Sequence, residues 1–146
     1  MRISRPVSRL VSILALLLVW SAEALSEDYT DVRVEKLLFS TTAYNGQPLS
    51  YPAAKQPEVT VLMVTIPPGG LTGWHRHPVP VYAYVMEGEI TIDLKSDGSH
   101  SFRKGDVILE VRDILHNGKN IGENDVKLLV FYTGASGVPN VVRQEP

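Results

Sequence analysis

Proline and glycine decide what the middle of this chain can become. From Gly69 to Gly88 the sequence reads GGLTGWHRHPVPVYAYVMEG, with prolines at positions 67, 68, 78 and 80. Proline lacks a backbone donor and clashes with the preceding helical turn, so a helix is disfavoured throughout this stretch. His75 and His77 are therefore expected on extended chain, where residues i and i+2 face the same way. Two imidazoles on one strand face can grip one metal ion, a task that takes positions i and i+4 on a helix. His116 is the candidate for a third ligand.

The pattern is β from about Tyr29 onward. Val32–Leu37 begins as an alternation and predicts a first strand. Asn45-Gly46 signals a turn, and a proline-punctuated loop runs from Pro48 to Pro57. Val59–Ile66, Val81–Met86, Glu89–Leu94, Val107–Leu109 and Lys127–Tyr132 predict further strands, with a short edge strand at Val138–Val142. Asp97-Gly98 is a hairpin signal. Many short strands separated by turn signals predict an all-β sandwich or barrel, with no helix after the first segment.

That first segment predicts a leader. Arg2, Arg5 and Arg9 precede the apolar run Leu10–Trp20, and Ala22-Glu23-Ala24 offers an A-x-A cleavage site. This is the pattern of a secretory signal peptide over residues 1–24, followed by one domain over residues 25–146. The apolar run falls short of the roughly 20 residues a membrane span needs, so no stable span is expected after cleavage. The expected location is the periplasm or the medium. Removing the leader takes away three arginines and one glutamate and moves the formal charge from −2 to −4. A mildly acidic chain with no basic run argues against nucleic acid as a partner. There is no cysteine, which excludes a disulfide framework, thiolate ligands and a cysteine nucleophile. A metal site must then use histidine, carboxylate or water, a donor set that suits Fe, Mn, Zn, Ni or Cu.

The chain resembles the cupin superfamily in both halves of that family's signature. The first half, G-x5-H-x-H-x3-(E)-x6-G, falls on Gly69, His75, His77, Val81 and Gly88. The second, G-x5-P-x-G-x2-H-x3-N, falls on Gly105, Val111, Asp113, His116 and Asn120. The resemblance implies a double-stranded β-helix, or jelly roll, with one divalent metal in the barrel held by His75, His77 and His116. It also implies pairing into a homodimer through outer strands, for which Val59–Ile66 and Lys127–Tyr132 are candidates. The sequence departs from the signature at three positions. The family's glutamate ligand is replaced by Val81, and the second-half proline and glycine by Val111 and Asp113. Asp113 suits a turn all the same, because aspartate tolerates turn geometry.

A face of three histidines leaves coordination positions open, as catalytic sites do, and offers no protein charge to offset the cation. Among cupins, such sites occur in several iron-dependent dioxygenases, so the resemblance implies Fe(II) first, with Mn, Ni, Zn or Cu admitted. The leading expectation is oxygen-dependent oxidation of a small organic molecule. The alternatives are a non-catalytic ligand-binding or sensing module and a metal-dependent isomerase. The last needs a positioned acid/base pair, and no catalytic residue is assigned. Val81 and Ala83 share the strand face of the lost glutamate and are expected to give the pocket an apolar floor. Trp74 and Met63 are further candidates for the lining, with rim or core packing as their plainer roles. Glu110 is expected at the surface, with a supporting base or distant fourth ligand as the alternative. His100 is expected to be solvated in a polar turn.

Overall fold

The computed structural model of the protein describes residues 31–95 and 97–144. The predicted leader and its cleavage site lie outside them. Residues 35–144 belong to one unit, and residues 31–34 fall outside it. The strands are β1 (Pro57–Ile66), β2 (His75–Arg76), β3 (Val81–Glu87), β4 (Glu89–Leu94), β5 (Gly98–Arg103), β6 (Val107–Leu109), β7 (His116–Lys119), β8 (Val126–Ala135) and β9 (Val142–Arg143). No helix occurs among the described residues. One sheet has the order β1-β8-β3-β6 and the other β5-β4-β7-β2-β9, with every strand pair antiparallel. This is the all-β jelly-roll arrangement expected.

The element bounds follow from side-chain chemistry. β1 is rich in β-branched residues and stops at Pro67-Pro68, whose missing N–H groups end the ladder. It pairs with β8 from Pro57↔Ala135 to Ile66↔Val126. Between β3 and β4 a single residue, Gly88, carries the chain from one sheet to the other. Its φ is +75°, and a Cβ there would lie 2.7 Å from the Asp125 carbonyl oxygen. Only glycine accepts both the left-handed backbone and the close approach.

The core lies where the inward faces of the sheets meet. Val81, Ala83 and Val85 of β3 and Leu128 and Val130 of β8 pack in one cluster with Ile90 and Ile92 of β4. Burying each larger aliphatic side chain contributes about 1.5–3 kcal/mol. Val111, at the proline position of the second motif, is fully buried. Asp113 adopts φ +58°, so it does the turn work of the absent glycine, as anticipated. Its backbone N–H donates to the His77 carbonyl (2.9 Å), and its carboxylate accepts from Arg76 Nη1 (2.7 Å).

Two expected elements differ. Val32–Leu37 forms no strand, and Val32, Val34 and Leu37 are more than half exposed. An alternation of apolar residues makes a strand only where another strand offers backbone partners. The late edge strand falls at Val142–Arg143 rather than Val138–Val142. His100 lies within β5 and packs against the Tyr44 ring at 5.0 Å between centroids, so it is not the solvated turn residue expected.

Candidate metal centre

The three histidines converge because of strand geometry. His75 lies on β2, and His77 follows two residues later in a parallel bridge with Arg112. His116 opens β7 and is the direct cross-strand partner of His75. Residues i and i+2 share a face, and so do direct cross-strand partners. One donor atom from each imidazole lies within 4.8 Å of the others, and all three side chains are buried.

Each ring is held by a backbone carbonyl at Nδ1. His75 Nδ1 donates to Gly73 O (2.7 Å), His77 Nδ1 to Asn140 O (2.7 Å) and His116 Nδ1 to Ile114 O (2.9 Å). A carbonyl only accepts, so each Nδ1 carries the proton, and in the neutral ring each Nε2 keeps its lone pair. His116 Nε2 is buried with no hydrogen-bond partner. An unpaired buried acceptor beside two others costs stability unless a cation or a proton joins them. Fixing the tautomer from behind in this way is what metal-ligating histidines require. The residues fit a metal ion.

Glu110 borders the histidine cavity. Its Oε2 lies 3.2 Å from both His77 Nε2 and His116 Nε2, and the side chain is only 11 % exposed. The expectation of a surface glutamate is therefore wrong, and so is that of a centre with no protein charge beside it. Glu110 follows β6, and its N–H donates to the Val81 carbonyl (3.0 Å), so the two residues stand opposite each other on the β3–β6 pair. The sequence did hold a signal. Glu110 is two residues from the buried Ile108 and next to the buried Val111, a lone carboxylate in an apolar run.

The electrostatics fit a cluster that needs a positive centre. Burial, joined by the neighbouring imidazoles, lowers the His75 pKa to about 4 against the pull of the Gly73 carbonyl. Burial also works to lower His77, but the Glu110 carboxylate outweighs it and the net shift is upward. Burial pushes Glu110 up, yet the His116 and His77 imidazoles 3.2 Å away, once protonated, hold it well below the usual carboxylate range.

A cavity of about 60 Å³ reaches the histidines, with Val64, Ile90, Ile92, Leu128, Val130 and Tyr132 among its walls. A wider recess of about 430 Å³ shares Val64, Thr72, His75 and Tyr132 with it and has Arg143 at its rim. Glu110 also borders a second small cavity, lined among others by Gln47, Tyr51, Val81 and Arg112. Val81 is thus beside the carboxylate but not in the wall of the histidine cavity. Ala83 is buried in the core and lines neither cavity. Met63 is 56 % exposed on β1, and its neighbour Val64 faces the cavity instead. An all-apolar run hides which of its two faces points inward. Trp74, adjacent to His75, lines neither cavity; Lys95 Nζ sits 5.3 Å from its ring centre. Sequence reading overlooked Tyr132, whose ring meets His77 edge-on at 5.5 Å. Burial, with the Glu110 charge adding to it, pushes its phenol up to about 12.

The fold and the site together define a small β-barrel domain built to present histidines inward. A cupin-domain family model matches residues 62–132, and the chain carries a cupin domain. Among solved structures it is similar to the oxalate decarboxylase of Lactobacillus farciminis, crystallised as a formate complex. The identity is 21 %, the TM-score 0.51, and the match covers 58 % of this chain and 26 % of that one. It is also similar to the DMSP lyase DddQ of Ruegeria pomeroyi, at 18 % identity and TM-score 0.53, covering 60 % of this chain and 44 % of that one. The match thus spans about a quarter of the decarboxylase and under half of the lyase. At these identities the likeness concerns the fold alone. No curated protein matches the chain.

Proposed function

We propose that this cupin binds one divalent first-row metal ion through His75, His77 and His116 and uses it on a small organic molecule, with oxygen-dependent oxidation as the favoured reaction. The observation that carries this reading is the locking of all three Nδ1 atoms by backbone carbonyls, which leaves three buried Nε2 lone pairs aimed together. Imidazole donors accept several ions, and Fe(II) is the ion this reading favours. When bound, the metal would supply Lewis acidity and hold substrate and oxygen side by side.

The chain's own residues do the rest. Ile90, Leu128 and Val130 keep water from the reacting face. The Tyr132 hydroxyl stays protonated at neutral pH and can donate a hydrogen bond to a substrate oxygen. The narrow cavity and wider recess favour a small substrate that enters past Thr72 and Tyr132. Neither decarboxylation nor DMSP cleavage is carried over from the structural neighbours.

The test is elemental analysis of the protein purified without chelator or His-tag, followed by oxygen-uptake screens. Near-stoichiometric iron, and oxygen uptake only with metal and substrate present, are expected. Ligand binding without turnover would favour a sensing module, and full metal content in His116→Ala would refute the site. We also read the chain as exported, so the mature protein recovered from the periplasm or medium should begin at Leu25. Recovery of the chain starting at Met1 from the cytoplasm would refute export.

A further inference from the structure

We propose that Glu110 is a fourth metal donor, its carboxylate entering from the chain after β6 in place of one absent from position 81. This rests on the three-histidine reading above.

The register makes the exchange possible. Val81 begins β3, and Glu110 N–H donates to its carbonyl across the β3–β6 pair (3.0 Å). Residues directly opposite on an antiparallel pair project to the same face. A carboxylate moved from position 81 to position 110 therefore stays on the metal side of the sheet. The distances agree. Two donors about 2.1 Å from one ion and at right angles to it lie roughly 3.0 Å apart. Glu110 Oε2 is 3.2 Å from both His77 Nε2 and His116 Nε2. A carboxylate serving only to brace an imidazole would hydrogen-bond the nitrogen away from the metal. Here those Nδ1 positions are already taken by Asn140 O and Ile114 O, and Glu110 faces the nitrogens that would ligate. The neutralising charge would also favour retention of a divalent ion over a site of three neutral rings.

Cobalt(II) binding to metal-free protein tests the assignment. Affinity by titration calorimetry and the visible absorption of the cobalt form are compared for wild type, His116→Ala and Glu110→Gln. Wild type should bind one Co²⁺, and His116→Ala should not. The isosteric Glu110→Gln should bind at least tenfold more weakly, with altered ligand-field bands. Wild-type affinity and an unchanged spectrum in Glu110→Gln would overturn the role of Glu110 and leave the histidine site standing. No Co²⁺ uptake by wild type would overturn the histidine site, and this inference with it. Should Glu110→Gln fail to fold, carbon NMR of the unmodified cobalt protein decides, using glutamate labelled at the carboxyl carbon. One carboxyl resonance should show the large hyperfine shift of a metal-bonded group, and the absence of any such resonance would refute the proposal.

Discussion

Replacing Asn120 with aspartate exchanges one side-chain NH₂ for an oxygen of the same size, in one of the most buried positions of the protein. Asn120 is 2 % exposed. Its Nδ2 donates to Ile66 O and to Asn124 O, both at 2.8 Å, and its Oδ1 accepts from Gly122 N–H at 3.0 Å. The side chain thus ties the end of β1 to the loop before β8. In Asn120→Asp, the ionised carboxylate would face two carbonyl oxygens with nothing to donate. The protonated acid can donate to one of them. It forfeits one of the two hydrogen bonds, a loss of about 0.5–1.5 kcal/mol. The folded-state pKa of this new acid must therefore rise above its unfolded value of about 3.9. Above that value the unfolded chain binds fewer protons than the folded one, so stability falls as pH rises, by about 1.4 kcal/mol per pH unit until the folded pKa is reached. Between about pH 5 and about pH 7 the variant should lose a further ~3 kcal/mol relative to wild type. Urea unfolding of both metal-free proteins at the two pH values measures this. A wild-type-minus-variant difference that is the same at both, or that stays under about 1 kcal/mol, would refute the claim that Asn120 donates to both carbonyls.

Asp113 holds a left-handed backbone, so Asp113→Ala should be less stable than Asp113→Gly by about 1 kcal/mol in urea unfolding, whereas Asp113→Gly loses little more than the exposed Arg76 bridge. Tyr132→Phe should keep full metal content and lie within about 1 kcal/mol of wild type in stability, because the ring still packs against His77. Its affinity for substrate should fall, as measured by calorimetry once a substrate is found. Adding the cognate metal to chelated protein at about 100 times its Kd should stabilise the fold by about 2.7 kcal/mol, read as a higher melting temperature, and His75→Ala should show no such rise.

Most of the fold was legible because β structure announces its ends. Pro67-Pro68 stops β1, Gly88 turns the corner between the sheets, and Asp97-Gly98 leads into β5. These residues act through local backbone geometry, which sequence encodes directly. Val32–Leu37 failed for the opposite reason. It has the side-chain alternation of a strand, but a strand is a pairing, and the partner is a property of the assembled chain. Met63 failed because Val59–Ile66 is apolar on both faces, and only the packed sheet decides that Val64 turns inward.

The site divides along the same line. His75, His77 and His116 were legible because their spacing alone places two of them on one face, and the second half of the signature supplies the third. Glu110 was not, because its place depends on register: it lies 29 positions from Val81 in the chain and opposite it on the sheet. Reading position 81 alone gives a centre without a carboxylate, and hence a more Lewis-acidic one. Reading the strand pair gives a carboxylate 3.2 Å from two of the three histidines. A loss along the sequence can thus be offset across a sheet. A missing ligand in such a barrel is therefore judged at the cross-strand neighbour as well as at the motif position, before its charge is counted as gone.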